Sequence, residues 1–199
     1  MQIDAIAIVC ALRAHGETGA IARLLTREAG MIAGYVAGAR GRQLRPVLIP
    51  GNKVALEARS RSDLQLPFFR TELIESRGPW LSEPLPAAAI GWATTLAAST
   101  LPEQQAYPAL YDALEGVLDA VCQAPSARGW LPGMIAYEAV LLRELGYGGT
   151  LPDPAQGDLA ALLAKFDAQG QRLARYPLAD RRTDVMGART MLRERLARI

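Results

Sequence analysis

The chain has 199 residues, of which 50% are hydrophobic, 21% are charged and 6% are aromatic, and its formal net charge is +2. This composition is typical of a soluble globular protein, and the length is sufficient for one large domain or two small ones without disulfide support. It excludes collagen-like, low-complexity and intrinsically disordered proteins.

The small net charge conceals three segments of alternating sign. Residues 1–80 carry 11 basic and 7 acidic side chains, residues 81–179 carry 5 and 10, and residues 180–199 carry 6 and 3. A basic front and a basic tail around an acidic middle predict an anionic partner for part of the molecule and a different partner for the rest.

The two cysteines and the apolar segments indicate where the protein resides. Cys10 and Cys122 lie far apart in apolar surroundings, which predicts buried free thiols in a reducing compartment rather than a disulfide framework or a metal motif. The first residues lack the positive region of a signal peptide, and the apolar stretch 85–99 is too short to span a bilayer. We therefore expect a cytoplasmic protein without membrane contact.

The first 80 residues predict strands. Apolar runs separated by turn residues lie at 6–12, 31–36, 47–49, 54–58 and 71–74. Five or six strands at about ten-residue spacing, with no long helical pattern between them, are typical of a small closed barrel or a sandwich. Periodicity alone leaves residues 20–26 open between strand and helix.

From Leu81 onward the pattern is helical. Apolar residues recur at helical spacing in residues 87–99, 104–122, 131–145 and 185–198. The change near Gly78-Pro79 predicts an α+β protein of two domains, an all-β barrel or sandwich over 1–79 and an α-helical domain over 80–199. Residues 150–184 are expected to be irregular because glycine and proline interrupt them, although 158–166 fits one further helix.

Catalytic and metal chemistry are disfavoured. His15 is the single histidine, and on a strand it points away from Cys10, its nearest nucleophile. One histidine and two remote cysteines do not form a zinc site, and neither phosphate-binding glycine motif occurs. We expect no catalytic residue, no metal and no cofactor.

Unpaired basic residues are the stronger functional signal. Residues 13–61 carry nine basic and three acidic side chains, and three of the arginines lie in the glycine-containing segment 38–45. A flexible cationic loop of this kind is suited to binding phosphates, with Tyr35 as a stacking surface, and an ordinary solvated loop is the alternative. The candidate DNA-binding residues are Arg13, Arg27, Tyr35, Arg40, Arg42, Arg45, Lys53, Arg59 and Arg61.

The segment 133–145 is apolar on nearly every side of the predicted helix. Helices of this type usually belong to a core. The alternative is that this helix lines a groove for a partner peptide.

Several short motifs follow one another in residues 1–150. They are His15-Gly16-Glu17-Thr18, Leu24-Leu25-Thr26-Arg27-Glu28-Ala29-Gly30, Val36-Ala37-Gly38-Ala39-Arg40, Tyr137-Glu138, Leu141-Leu142 and Leu145-Gly146-Tyr147. Their order and spacing resemble the RecO family of bacterial recombination mediators, whose pattern is GE, LTREG, a GAR loop and an FE–LL–LGY helix.

The resemblance implies an N-terminal OB-fold barrel, with residues 20–26 as a strand, followed by a helical domain. It implies a non-enzymatic, nucleoid-associated protein that binds single- and double-stranded DNA and anneals complementary strands. With its partner RecR, such a protein helps to load RecA onto DNA coated by single-strand binding protein. A protein adapter whose barrel does not touch DNA is the alternative.

The resemblance also assigns roles to residues. The basic loop of the family falls on Arg40, Arg42 and Arg45. Contact with the acidic C-terminal tail of single-strand binding protein is placed on Tyr137, Leu141, Leu142 and Arg143. Many family members carry a four-cysteine zinc site after the LGY helix, but residues 148–199 contain no cysteine, so zinc is not expected.

Overall fold

The computed structural model describes residues 2–60, 62, 65–148, 158–179 and 184–199. These residues group into two compact units. One unit comprises Met1–Ser82 with Leu101–Pro108, and the other comprises Glu83–Thr100 with Ala109–Ile199.

The first unit is a closed five-stranded barrel. The strands are β1 (Gln2–His15), β2 (Gly19–Thr26), β3 (Gly30–Val36), β4 (Lys53–Arg59) and β5 (Phe68–Glu75). Neighbouring strands follow the order β1-β2-β3-β5-β4, and all pairs are antiparallel except the parallel pair of β3 with β5. This is the connectivity of an OB fold, so the expected barrel is confirmed, as is the strand over residues 20–26.

Alternation along the strands builds the barrel core. Strand β1 closes the barrel because its first half pairs with β4 and its second half with β2, with a register shift between Val9 and Ala11. Phe69 points inward from β5 and is 4% exposed. A Cβ atom at Gly34 of β3 would overlap the Phe69 ring, so the ring occupies space that only glycine leaves open.

The strand predicted over Val47-Leu48-Ile49 is wrong. In the segment between β3 and β4, Val47 lies in a turn, Leu48 lies in a bend and Ile49 has no regular structure. The buried Asn52 side chain donates from Nδ2 to the carbonyls of Pro46 at 2.9 Å and Val47 at 3.0 Å, and the Leu48 amide donates to the Leu44 carbonyl at 3.0 Å. Local hydrogen bonds thus replace those of a sheet, while Leu48 still packs into the barrel core.

The second unit is helical, as predicted. Its α-helices are α1 (Pro84–Thr100), α2 (Pro108–Gln123), α3 (Ala127–Glu144), α4 (Leu159–Arg175) and α5 (Met186–Leu196), and a short 3-10 helix at Gly78–Ser82 belongs to the first unit. Trp92 of α1, Tyr137 of α3 and Phe166 of α4 are among the fully buried side chains of the second unit. Within the described residues, no helix combines the length and the apolar character needed to cross a membrane.

The expectation of an irregular segment over 150–184 is wrong for α4. Asp158 caps this helix by accepting a hydrogen bond from the Ala161 amide at 2.9 Å. Gly170, which by sequence interrupts a helix, lies where the Arg189 guanidinium passes, and a Cβ atom there would overlap it. Arg189 thus fills the space beside Gly170, in a helix interior where glycine costs about 1 kcal/mol relative to alanine. Residues 150–157 and 180–183 lie outside the described residues.

Candidate nucleic-acid interface

Residues 38–45, here called the basic loop, form a series of hydrogen-bonded turns after β3. Gly38 adopts a left-handed conformation with φ of +64°, and its carbonyl accepts a hydrogen bond from the Gly41 amide at 2.8 Å. The Gly41 carbonyl in turn accepts from the Arg45 amide at 3.0 Å. The glycines therefore permit tight turns that present the intervening side chains to solvent.

The basic loop is fastened to the turn between β1 and β2. The Arg40 amide donates to the Thr18 carbonyl at 3.1 Å, and the Arg40 Nη1 atom donates to the Glu17 carbonyl at 3.1 Å. Beneath it, Ala39 is 1% exposed and belongs to the barrel core, against which Leu44 also packs. These contacts fix the backbone of the loop to the barrel.

The loop arginines remain exposed, and no carboxylate among the described residues forms an ion pair with them. Arg40, Arg42 and Arg45 are all exposed, and the segment 38–48 contains no aspartate or glutamate. Arg13, near the end of β1, is exposed as well. Within the described part of the chain, none of these four arginines forms an ion pair with a carboxylate. Their charge is therefore available to an anionic ligand.

The remaining cationic candidates are placed differently. Arg59 forms an ion pair with Glu57, and Lys53 lies 3.6 Å from the Glu75 carboxylate. Arg27 is exposed in the turn after β2, at the end of that strand opposite the β1–β2 turn, which is about 25 Å away along an eight-residue strand. Arg61 lies outside the described residues. The structure thus groups Arg40 with the β1–β2 turn and separates Arg27 from it.

Tyr35, the candidate stacking residue, belongs to a cluster of rings at the end of β3 that precedes the basic loop. Its ring centroid lies 6.0 Å from His15 and 5.6 Å from Phe68, both in edge-on geometry. Sequence reasoning missed Phe68, which is 63% exposed. The signal was the pair Phe68-Phe69, because consecutive side chains on a strand point to opposite faces and one of the two rings must face outward.

The proposed peptide site in the helical unit needs correction. Tyr137, Leu141 and Leu142 are each 0% exposed, and the Tyr137 hydroxyl donates to the Ala93 carbonyl at 2.8 Å. These three residues form the core of the helical unit and do not line a surface groove, so the core interpretation of this helix is confirmed. Arg143 is exposed and pairs with Glu144 at 3.0 Å.

Cys10 and His15, the two residues considered for catalysis, differ in burial. Cys10 is 2% exposed, and burial raises the pKa of its thiol to about 12. His15 is exposed at the end of β1. In the described ranges, no three His, Cys, Asp or Glu side chains are grouped as metal ligands would be.

Comparison with known proteins agrees with this architecture. Residues 1–77 match the family model for the N-terminal part of recombination protein O, and residues 82–169 match the model for its C-terminal part.

Individual relatives align over most of the chain. The chain is 38% identical to a DNA repair protein RecO of Caulobacter vibrioides over 149 residues, which is 74% of this chain and 60% of that protein. It is 36% identical to a DNA repair protein RecO of Rhizobium etli over 185 residues, which is 91% of this chain and 71% of that protein. A DNA repair protein RecO of Rhodospirillum centenum is 41% identical over 143 residues, 71% of this chain and 56% of that protein. The chain thus spans less than two thirds of the Caulobacter vibrioides and Rhodospirillum centenum relatives, and by the two family models it belongs to the RecO family.

Proposed function

We propose that this protein binds DNA in recombinational repair, with the basic loop as its phosphate-binding element. The observation that carries the proposal is the presence of three exposed arginines that pair with no carboxylate of the described residues, on a loop that is hydrogen-bonded to an OB barrel. The names of the relatives, which are DNA repair proteins, support the same assignment.

The loop geometry suits phosphate oxygens. A guanidinium group carries five N–H donors, so the Arg40 side chain retains donors after its single bond to the Glu17 carbonyl. Paired N–H donors match two phosphate oxygens at once, which a lysine cannot do. Contacts of this kind read no bases, so the proposed binding is independent of sequence and sensitive to salt.

Annealing of complementary strands follows from the same charges. Two strands that approach each other repel through their phosphates, and arginines that neutralise part of that charge lower the barrier to pairing. No step of this process requires a bond to be made or broken by the protein, and we propose a non-enzymatic role at the nucleoid in the bacterial cytoplasm.

Protein partners complete the proposal. With RecR, the protein promotes loading of RecA onto DNA coated by single-strand binding protein. The helical unit recruits the acidic C-terminal tail of that coating protein. Because Tyr137, Leu141 and Leu142 are buried, Arg143 is the exposed one of the four residues considered for this contact.

Charge reversal tests the phosphate-binding loop. The variant Arg40→Glu/Arg42→Glu/Arg45→Glu is compared with Arg128→Glu/Lys165→Glu/Arg198→Glu, which changes the net charge equally at exposed positions of the helical unit. Fluorescence anisotropy with a labelled single-stranded oligonucleotide is expected to show loss of binding for the loop variant and near-normal binding for the control. Equal losses would assign binding to overall charge. A wild-type protein that binds no DNA at low salt would favour the protein adapter.

A further inference from the structure

The outer face of the barrel carries an aromatic row beside the basic loop. Strands β3, β5 and β4 are neighbours, and their register places Tyr35 opposite Phe68 and Phe68 opposite Arg59. Directly opposed residues of paired strands share one face of the sheet, about 4.8 Å apart from strand to strand. Tyr35, Phe68 and Arg59 therefore form a continuous row of two rings and a cation.

Phe68 has the exposure of a binding residue rather than a core residue. Its neighbour Phe69 is 4% exposed and fills the barrel, whereas Phe68 is 63% exposed. Its ring meets Tyr35 at 5.6 Å with an interplanar angle of 87°, so Tyr35 contacts Phe68 without covering it. The Phe68 ring is therefore not part of the barrel core, and most of it is accessible to a ligand.

The ring borders a concave space of a size that fits a planar ligand. Phe68 lines a surface pocket of about 770 Å³ together with Arg59, Ser60, Gln65 and Leu66. Small-molecule sites usually have volumes of about 300–1,000 Å³ and combine apolar walls with a few polar groups. Here the ring of Phe68 and the side chain of Leu66 provide the apolar wall. Arg59 is ion-paired with Glu57, but its side chain is 62% exposed, and its guanidinium keeps further N–H donors for a phosphate.

The neighbouring strands β2 and β1 fix the position of the Tyr35 ring. A Cβ atom at Gly19 of β2 would overlap the Tyr35 ring, so the ring lies directly on the backbone of the neighbouring strand. His15 contacts the same ring from β1. The sheet thus holds the Tyr35 ring in its edge-on position against Phe68.

We infer that Phe68, with Tyr35 and Arg59, forms a stacking site for an unpaired nucleobase of a single strand whose backbone lies on the basic loop. A flat π surface beside a cation complements a base followed by its phosphate. This inference rests on the proposed function and adds a strand preference to it, because bases inside a duplex are already stacked and do not reach the ring.

Aromatic substitution tests the site. Loss of a stacked base costs roughly 5- to 150-fold in affinity. Phe68→Ala and Phe68→Leu are expected to weaken binding of a single-stranded oligonucleotide about tenfold. Phe68→Tyr retains the π surface and is expected to bind like the wild type. Ile74→Ala on the same strand, where Ile74 is 50% exposed, is the control for loss of exposed apolar area.

Two further readouts separate stacking from phosphate contact. Because no charge is removed, Phe68→Leu is expected to leave the salt slope and the affinity for blunt duplex unchanged. An oligonucleotide with abasic sites is expected to bind wild type and Phe68→Leu equally. Wild-type binding of single strands with no difference for Phe68→Leu, or equal losses for single strand and duplex, would overturn the stacking site while leaving the proposed function intact. Failure of the wild type to bind any DNA would overturn both.

Discussion

Arg189 of α5 reaches Glu138 of α3 in the interior of the helical unit, with Nε 2.9 Å from Oε1 and Nη2 3.0 Å from Oε2. The two side chains are 6% and 0% exposed. Trp92 of α1 donates to the same carboxylate at 2.8 Å, and the Arg189 guanidinium lies 3.6 Å from the ring centroid of Phe166 in α4. Residues from four helices therefore meet at one ion pair, which links α5 to the rest of the unit.

Removing Arg189 is expected to destabilise the protein strongly. Arg189→Met leaves the Glu138 carboxylate buried without its cation, which costs about 3–5 kcal/mol. Urea unfolding measures this loss. The control Arg193→Met breaks the partly exposed pair with Asp167, at 2.7 Å, and is expected to cost less than about 1 kcal/mol. Similar losses for the two variants would contradict a special role for the buried pair.

The same variant is expected to acquire a characteristic pH dependence. Burial raises the pKa of Glu138, whereas Arg189 and the hydrogen bond from Trp92 lower it. Without Arg189 the pKa of Glu138 in the folded state is raised further. The folded protein then keeps the Glu138 proton at pH values above about 4.3, where the unfolded chain releases it. The stability of Arg189→Met is therefore expected to fall as pH rises from 4 to 8. Glu138→Gln/Arg189→Met is expected to lack this trend.

Cys10 is expected to be unreactive while the protein is folded. With a pKa of about 12, fewer than ~0.1% of its thiols are ionised at pH 8, and the thiolate is the reactive form. Cys122 is only half-buried. A thiol reagent such as Ellman's reagent is expected to titrate Cys122 first, and Cys10 only after denaturation. Rapid labelling of native Cys122→Ala would contradict the buried position of Cys10.

Substitution of two glycines by alanine is expected to change the stability of the protein in opposite directions. Gly34→Ala places a methyl group in the Phe69 ring, and overpacking of this kind costs about 1–3 kcal/mol. Gly116→Ala lies on an exposed position of α2 with no atom in the way, and is expected to add about 0.5–1 kcal/mol. Thermal unfolding of both variants checks the two signs, and a stabilised Gly34→Ala would show that the Phe69 ring is not packed there.

Local patterns predicted most of the fold because they depend on neighbours in the chain. Alternation and turn residues indicated the strands, and three-and-four spacing indicated the helices. The strand prediction for Val47-Leu48-Ile49 was wrong because the conformation of this segment depends on Asn52. The Asn52 side chain donates hydrogen bonds to backbone carbonyls that a neighbouring strand would otherwise bind. Likewise, Gly170 interrupts α4 by sequence but not in the structure, because Arg189 from another helix occupies the space beside it.

The candidate site was less predictable because charge and exposure are properties of the folded surface. Glycines and arginines in one segment indicated the basic loop, but nothing in the sequence revealed that Arg59 pairs with Glu57 while Arg42 has no such partner among the described residues. The helix that carries Tyr137 presented the same difficulty. Its apolar sequence fits either a core or a groove, and only the packing of the helices places Tyr137 in the core.

The dependence of DNA affinity on salt tests the central claim most directly. If the three arginines of the basic loop and Arg13 together neutralise about four phosphates of a single strand, the logarithm of the affinity is expected to fall against the logarithm of salt concentration with a slope near −3. The variant Arg40→Glu/Arg42→Glu/Arg45→Glu is expected to bind weakly and with a shallower slope. A wild-type slope that the loop variant reproduces at equal affinity would contradict phosphate binding by the basic loop.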